Sequence, residues 1–492
     1  MSKKNKINRP KARRPRGFED KSADILRAEQ GLVQAAFAVY EAWGFEPLQT
    51  PAFEYADALG KFLPDEDRPN TGVFALRDDD DQWMALRYDL TAPLARYVAE
   101  HYQEIAKPFR RYQAGSVWRN EKPGPGRFRE FVQCDADSVG APSGAADAEM
   151  IMLSAEVMRA GGLADGQYVI RVNNRKLLDG ILETSGVPDG AAGAEQRLRV
   201  LRAIDKLDRL GPDGVAALLG EGRKDESGDY TEGAGLAPTG IDAVMGFTMA
   251  SAKDRGMTLS TLETLVGTSA QGLAGVNELR QIDDILGACD FGPERVQFDT
   301  SIVRGLGYYT GAVFEAELLA DIKDKKGRPV RIGSVGGGGR YDGLVSRFMG
   351  QNVPATGFSF GVSRFASALA RMSKVNRTAQ APILICMFDR TLAADYFRMA
   401  AELRAAGLRA EVFVGGGNVG KQLKYADRRG VRLAVLMGSD EAARDEVTIK
   451  DLALGAEMAR AIRDNKEWRQ TRPAQQTVAR TRLIEQIRTM LE

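Results

Sequence analysis

RNEKPGPGRFREFVQCD, running from Arg119 to Asp135, is the stretch on which the reading of this chain turns. Polar and apolar residues alternate on either side of the Pro/Gly loop Lys122-Pro-Gly-Pro-Gly126, so it reads as strand, hairpin loop and returning strand. Arg119, Arg127 and Arg129 become candidates for one polar face of a sheet, and Phe131 offers its ring to a flat base. Arginine brings a planar fork of N–H donors, always charged, that suits carboxylate and phosphate.

Two further segments carry the same chemistry. VRGLGYYTGAVFE, from Val303 to Glu315, sets Arg304, Tyr308 and Tyr309 among glycines on what reads as a turn between strands. Glycine lets backbone approach a ligand, and tyrosine combines an apolar ring with a hydroxyl that reads a polar heterocycle. The same residues also suit a strand bend with packed aromatics. Gly336-Gly-Gly-Gly339-Arg340-Tyr341-Asp342-Gly343 precedes Pro354-Ala-Thr-Gly-Phe-Ser-Phe-Gly-Val-Ser-Arg364, a glycine-rich strand leading into a helix with an arginine near its start.

Together these segments resemble a known family, the histidyl-tRNA synthetases of class II. Arg119-x-Glu121 with its loop and returning strand resembles the second class-defining motif. VRGLGYYTG resembles the histidine-binding signature, and the stretch ending at Arg364 resembles the third motif. The helix expected over 22–43, with apolar residues at 25, 32, 33, 36, 37 and 40, runs into a strand at 44–51 and resembles the first motif, which implies a homodimer.

The resemblance implies an α+β fold: an antiparallel sheet flanked by helices, a helical insertion and a C-terminal α/β anticodon-binding domain. The expected division is a basic arm at 1–16, catalytic segments at 17–175 and 293–375, an insertion at 176–292 and the C-terminal domain at 381–492. It also implies residue roles. Arg119 and Arg304 meet the carboxylate and α-phosphate; Glu121 reads the adenine edge. Phe131 and Arg364 cover the adenine faces, and Arg127, with Arg129 beside it, takes the outer phosphates. Asp89 and Thr91, in LRYDLTAP, hold the histidine α-ammonium with Gln133, while Tyr309, Asp137 and Tyr341, with Tyr308 adjacent, surround the imidazole. Asp89 also suits a helix cap, and Tyr341 also suits packing. Gly307 stands where many relatives carry an acidic residue, and Asp137 is shorter than the glutamate some bacterial members use.

The chemistry implied agrees with the inventory. A carboxylate attacking the α-phosphorus of ATP arrives already ionised, so no protein base is required. The site must supply alignment and fixed positive charge, with Mg2+ on the ATP phosphates sharing it. The chain has a single histidine, His101, expected in a helix over 94–105, which leaves little for histidine-based acid–base catalysis. Cys134, Cys289 and Cys386 show no CxxC spacing, so neither zinc nor an organic cofactor is expected. Few cysteines point to a reducing, cytoplasmic setting.

The length of 492 residues suggests about three structural units. Lys plus Arg total 68 against 67 Asp plus Glu, so any nucleic-acid surface has to be locally segregated. No apolar run approaches a membrane span. The basic arm reads as a mobile tail, with attraction to RNA backbone the alternative. Residues 73–86 read as a hairpin with an acidic tip at 78–81, and 220–240 holds too few large apolar residues to fold alone. The family places tRNA acceptor-arm contacts on the insertion, though no motif here marks them.

In the C-terminal domain Gly415-Gly-Gly417-Asn-Val-Gly420-Lys421 satisfies two nucleotide-loop patterns at once. Gln422 stands where a P-loop needs Ser or Thr, while Asp440 leaves the dinucleotide pattern open. The preferred reading is a tRNA-binding helix: Lys421, Lys424 and Arg428 form one basic stripe with Tyr425 beside it, and a solvated face is the plain alternative. The expected function is thus ligation of histidine to tRNA(His) using ATP. The alternatives are a catalytically idle, synthetase-like subunit regulating histidine biosynthesis and a sensor of uncharged tRNA.

Overall fold

The computed structural model describes residues 10–62, 72–124, 127–188, 190–224, 228–302, 309–319, 333–372, 381–461 and 474–492. They fall into two units, Met1–Val375 and Asn376–Glu492. Arg304, Gly307 and Tyr308, the first part of the basic arm, and Pro125 and Gly126 of the hairpin loop lie outside the described residues.

The first unit is organised by one sheet of eight strands: β1 (Glu46–Pro47), β2 (Phe109–Trp118), β3 (Glu130–Val139), β4 (Tyr168–Asn174), β5 (Val296–Phe298), β6 (Ala312–Leu318), β7 (Ser334–Arg340) and β8 (Ala355–Phe360). They lie in the order β1-β2-β3-β8-β7-β6-β4-β5. The six inner strands are antiparallel, and a parallel strand closes each edge. This is the flanked antiparallel sheet expected from the family resemblance, with the quoted stretch supplying the start of β3.

Period-two alternation gives the sheet two unlike faces. On one, Tyr112, Cys134, Ala136, Phe314, Phe358 and Phe360 belong to a core shared with three helices. These are α1 (Ala23–Ala42), α3 (Ala145–Ala160) and α4 (Val362–Arg371). Leu32, Ala36 and Tyr40 recur every fourth residue of α1 and are all buried, as an amphipathic helix requires. Each large side chain buried here contributes about 1.5–3 kcal/mol. The opposite face is polar and carries the candidate site.

Between β4 and β5 the described residues form six α-helices, Arg175–Thr184 to Ala270–Ala288. Their apolar residues, among them Ile181, Val200, Phe247 and Leu279, extend the same core. Within 220–240 the described residues include a short paired ribbon, Gly222–Lys224 against Tyr230–Glu232, and Ala234 and Leu236 supply the buried anchors behind it. The expected hairpin is present as Ala75–Arg77 against Trp83–Leu86, its tip held where the Asp78 carboxylate accepts from Asp80 N (3.0 Å) and Gln82 N (2.8 Å). The helix expected over 94–105 is shorter: α2 (Thr91–Glu100) stops before His101. That ring packs 4.6 Å from Tyr97 and meets Glu104 at 3.3 Å.

The described residues of the second unit form five strands in the spatial order Ala410–Val412, Ile383–Ile385, Leu433–Leu436, Glu446–Asp451 and Gln475–Ala479. The first three are parallel and the last two antiparallel. Helices Ala393–Ala405 and Leu483–Leu491 close one core through Tyr396, Met399, Leu403, Leu483 and Ile487. Among the described residues no helix is long and apolar enough to cross a membrane.

Candidate active site and basic helix

Register decides which residues share the polar face. Arg111 stands opposite Asp137, and Gln113 opposite Asp135, across β2 and β3; Ser359 and Gly357 of β8 meet Asp135 and Asp137 from the other side. Gln133, Asp135 and Asp137, two apart on β3, therefore project together. Arg111 pairs with Asp137 at 2.9 Å, both side chains almost wholly buried, and also donates to Leu90 O at 2.7 Å. The Tyr341 hydroxyl donates to the other Asp137 oxygen. Gln133 donates through its side-chain nitrogen to Ser359, whose hydroxyl donates to Asp135 at 2.6 Å.

Burial weakens the acids of this group. Asp137 is pushed above the usual carboxylate range by desolvation, with Arg111 and the Tyr341 hydroxyl pulling the other way. Asp135 is pushed up to about 8 by burial and then by the neighbouring Asp137; Arg111 and Ser359 oppose the shift. Asp89 is also raised, chiefly by burial, and the Ala92 N–H and the Arg119 charge counter it. Asp89, Arg119, Asp135, Asp137 and Arg111 thus act on one another electrostatically within one site.

Two glycines make the packing possible. A Cβ on Gly357 would stand 2.0 Å from Asp137 Oδ1, and one on Gly115 would stand 2.4 Å from Arg87 Nη2. Arg87 is buried over Gly115, donating to Ser116 O (3.0 Å) and Thr50 O (2.9 Å).

Around this floor the remaining predicted residues distribute unevenly. Asp89 does cap α2, accepting from Thr91 N (3.1 Å) and Ala92 N (2.9 Å), yet keeps Arg119 and Asp137 within electrostatic range. Arg119 leaves the end of β2, donates to Tyr88 O at 3.1 Å and lies 5.1 Å from the centre of the Phe131 ring. Arg129 donates to Glu121 O at 3.0 Å, which folds the hairpin base, while the Glu121 and Arg127 side chains are exposed. Ser363 accepts from Val132 N (3.0 Å), so the first turn of α4 sits beside Phe131; the next residue, Arg364, is exposed and donates to Ser334 O at 2.9 Å. Tyr309 is half-buried with its ring against Gly339, and its electrostatic influence reaches the buried Tyr341.

Sequence reasoning passed over Arg111, Asp135 and Ser359. The signal for Asp135 was available: it sits midway between Gln133 and Asp137, both already selected, at the same parity. Arg111 and Ser359 depend on register, which no single strand's sequence reveals.

In the second unit Asn418 caps helix Val419–Arg429, its side chain accepting from Lys421 N at 3.2 Å. Lys421, Lys424 and Arg428 are all exposed on that helix. Tyr425 is fixed beside them: its hydroxyl donates to Glu411 (3.1 Å), and its ring meets Phe413 edge-on at 5.3 Å. Gln422 is buried and bonds Met387 N (2.9 Å) and Met387 O (2.7 Å). The residue that spoils the P-loop pattern therefore ties the helix to the segment after Ile383–Ile385.

Comparison with known proteins gives the following likenesses. A family model described as histidyl-tRNA synthetase matches residues 17–365, and one described as anticodon binding domain matches 383–490. A histidine–tRNA ligase of Caulobacter vibrioides is 55% identical over 98% of this chain and 97% of its own length. A histidine–tRNA ligase of Rhizobium leguminosarum is 55% identical over 99% of this chain and 97% of its own. Among solved structures, the histidyl-tRNA synthetase of Nostoc sp. PCC 7120 superposes with a TM-score of 0.73 at 29% identity, covering 98% of this chain and 100% of that one.

Proposed function

This chain belongs to the histidyl-tRNA synthetase family, and we infer from that membership that it is an ATP-dependent histidine–tRNA ligase. The idle regulatory subunit is not what such relatives support. In the first step a carboxylate oxygen of histidine attacks the α-phosphorus of ATP; the O–P bond forms, the α–β anhydride bond breaks, and pyrophosphate leaves. In the second a ribose hydroxyl at the tRNA 3′ end attacks the acyl carbon, and AMP departs.

The observation that carries the site assignment is the convergence of Asp89, Arg119, Gln133, Asp137 and Tyr341 on one polar sheet face, drawn from well-separated segments. Asp89 and the Gln133 carbonyl would receive the substrate ammonium, with Thr91 beside Asp89. Asp137, held by Arg111 and Tyr341, would accept from an imidazole N–H, with Tyr309 and Tyr308 closing the pocket. Arg119 and Arg304 would meet the carboxylate and the α-phosphate, where negative charge accumulates in the transition state. Adenine would lie between Phe131 and Arg364 with Glu121 at its edge, and Arg127 and Arg129 would meet the outer phosphates. ATP and a divalent metal go with such an activity; we assign Mg2+, entering as the counter-ion of the nucleotide phosphates.

For the larger assembly, the reading is a cytoplasmic homodimer. Segments 17–175 and 293–375 would perform catalysis, 176–292 would approach the acceptor arm, and 381–492 would bind the anticodon through Lys421, Lys424, Tyr425 and Arg428. Exchange of pyrophosphate with ATP, measured across the amino acids, tests the assignment. Histidine alone should drive exchange, and Arg304→Ala should lose most of it while still unfolding cooperatively. Exchange driven by another amino acid, or by none, overturns the specificity.

A further inference from the structure

Gln133 and Asp135 point to the same side of β3, and Ser359 stands directly across from Asp135 on β8. The Gln133 side-chain nitrogen donates to Ser359 Oγ, and that hydroxyl donates to Asp135 Oδ1 at 2.6 Å. A hydroxyl has one proton. Asp135 Oδ1 accepts that proton whether the acid is ionised or carries its own proton on Oδ2, and the serine oxygen is left as acceptor for the amide nitrogen. The chain of bonds then has one direction, and it turns the Gln133 oxygen away from Ser359. That oxygen is buried and has no hydrogen-bond partner among the described residues. A buried acceptor left open in this way invites a donor from a ligand.

We propose that Ser359 and Asp135 are positioning residues that decide which end of the Gln133 amide faces the amino-acid pocket, presenting its oxygen to the substrate ammonium. This rests on the reading of Gln133 as an ammonium ligand. The two ends of an amide are nearly the same shape, so packing alone discriminates weakly between them; the bond to Ser359 supplies the discrimination. Across β8 on its other side, Ser359 stands opposite Gly337.

The test measures KM for histidine and for ATP separately in pyrophosphate exchange. Gln133→Ala should raise the histidine KM and leave the ATP KM unchanged; an unchanged histidine KM overturns the ligand reading and the positioning role with it. Given that rise, Ser359→Ala should raise the histidine KM about tenfold, whereas Ser359→Thr, which keeps the hydroxyl, should stay near wild type. Asp135→Leu leaves the serine proton no acceptor but the Gln133 oxygen. The NH2 group then faces the ammonium, and the histidine KM should rise about ten- to a hundredfold, the range for a hydrogen bond to a charged group. Gln133→Glu in the Asp135→Leu background restores an acceptor at both ends and should recover most of that loss. An unchanged ATP KM shows that each variant is folded. Wild-type histidine KM in both Ser359→Ala and Asp135→Leu, or no recovery in the double variant, overturns the positioning role while leaving Gln133 as a ligand.

Discussion

Gly357→Ala is the sharpest perturbation this site permits. Its added Cβ would lie 2.0 Å from Asp137 Oδ1, 2.8 Å from Asp137 Cγ and 3.1 Å from Ala136 O. Ordinary contact begins near 3.4 Å, so the carboxylate has to retreat by about 1.4 Å. It cannot swing freely, because Arg111 holds one oxygen at 2.9 Å and Tyr341 donates to the other. Overpacking of this kind costs about 1–3 kcal/mol. A buried pair that loses a partner outright costs about 3–5 kcal/mol, which sets the ceiling. Displacement of about 1 Å at a substrate contact weakens activity about a hundredfold. The expected outcome is a lower first unfolding temperature and a histidine kcat/KM down about a hundredfold in pyrophosphate exchange, with the ATP KM unchanged. Gly343→Ala is the control, since nothing lies within 4 Å of its new Cβ. Wild-type stability and histidine kinetics in Gly357→Ala would show that Asp137 is not fixed against β8, and the imidazole assignment would fall with it.

Asp89 separates two roles. Asp89→Asn keeps an oxygen for the Thr91 and Ala92 N–H groups, so stability should hold while the histidine KM rises about tenfold or more; Asp89→Ala should lose about 1 kcal/mol of stability as well. An unchanged KM in Asp89→Asn would leave it only a cap. Asp135, pushed up to about 8 against about 4 when unfolded, favours the folded state while protonated; that stability is complete below pH 4 and is lost as pH rises toward 8, by up to about 1.4 kcal/mol per unit. The thermal advantage of Asp135→Leu over wild type should therefore widen from pH 5 to pH 8, and parallel curves would contradict the shift. Ending the chain after Arg371 should spare adenylate formation and weaken tRNA charging; full charging would remove the anticodon role from the second unit.

How far the sequence could be read follows from what kind of information each feature needs. The helix α1 and the basic stripe of Val419–Arg429 were legible from local spacing alone, whereas Gln133 and Asp137 were named through the family resemblance. The bonds that fix those side chains run between strands. Arg111 with Asp137, and Ser359 with Asp135, are neighbours only once β2, β3 and β8 have found their register, and apolar pattern alone does not announce it. The early end of α2 had a different cause: polar and apolar residues continue at helical spacing past Glu100, but the chain turns where His101 settles against Tyr97. Gln422 was read only as a departure from a phosphate-binding pattern, because its two bonds to Met387 connect residues far apart in sequence.

The contact between Gly357 and Asp137 bears on redesign of the proposed histidine pocket for another amino acid. A longer acid at 137 would press on strand β8 and on Tyr341 together, and a side chain at 357 would evict the acid already there. Libraries that vary one position at a time will therefore report this pocket as immutable. Libraries that vary 137, 341 and 357 jointly sample solutions in which one change makes room for another, and the effects will not add.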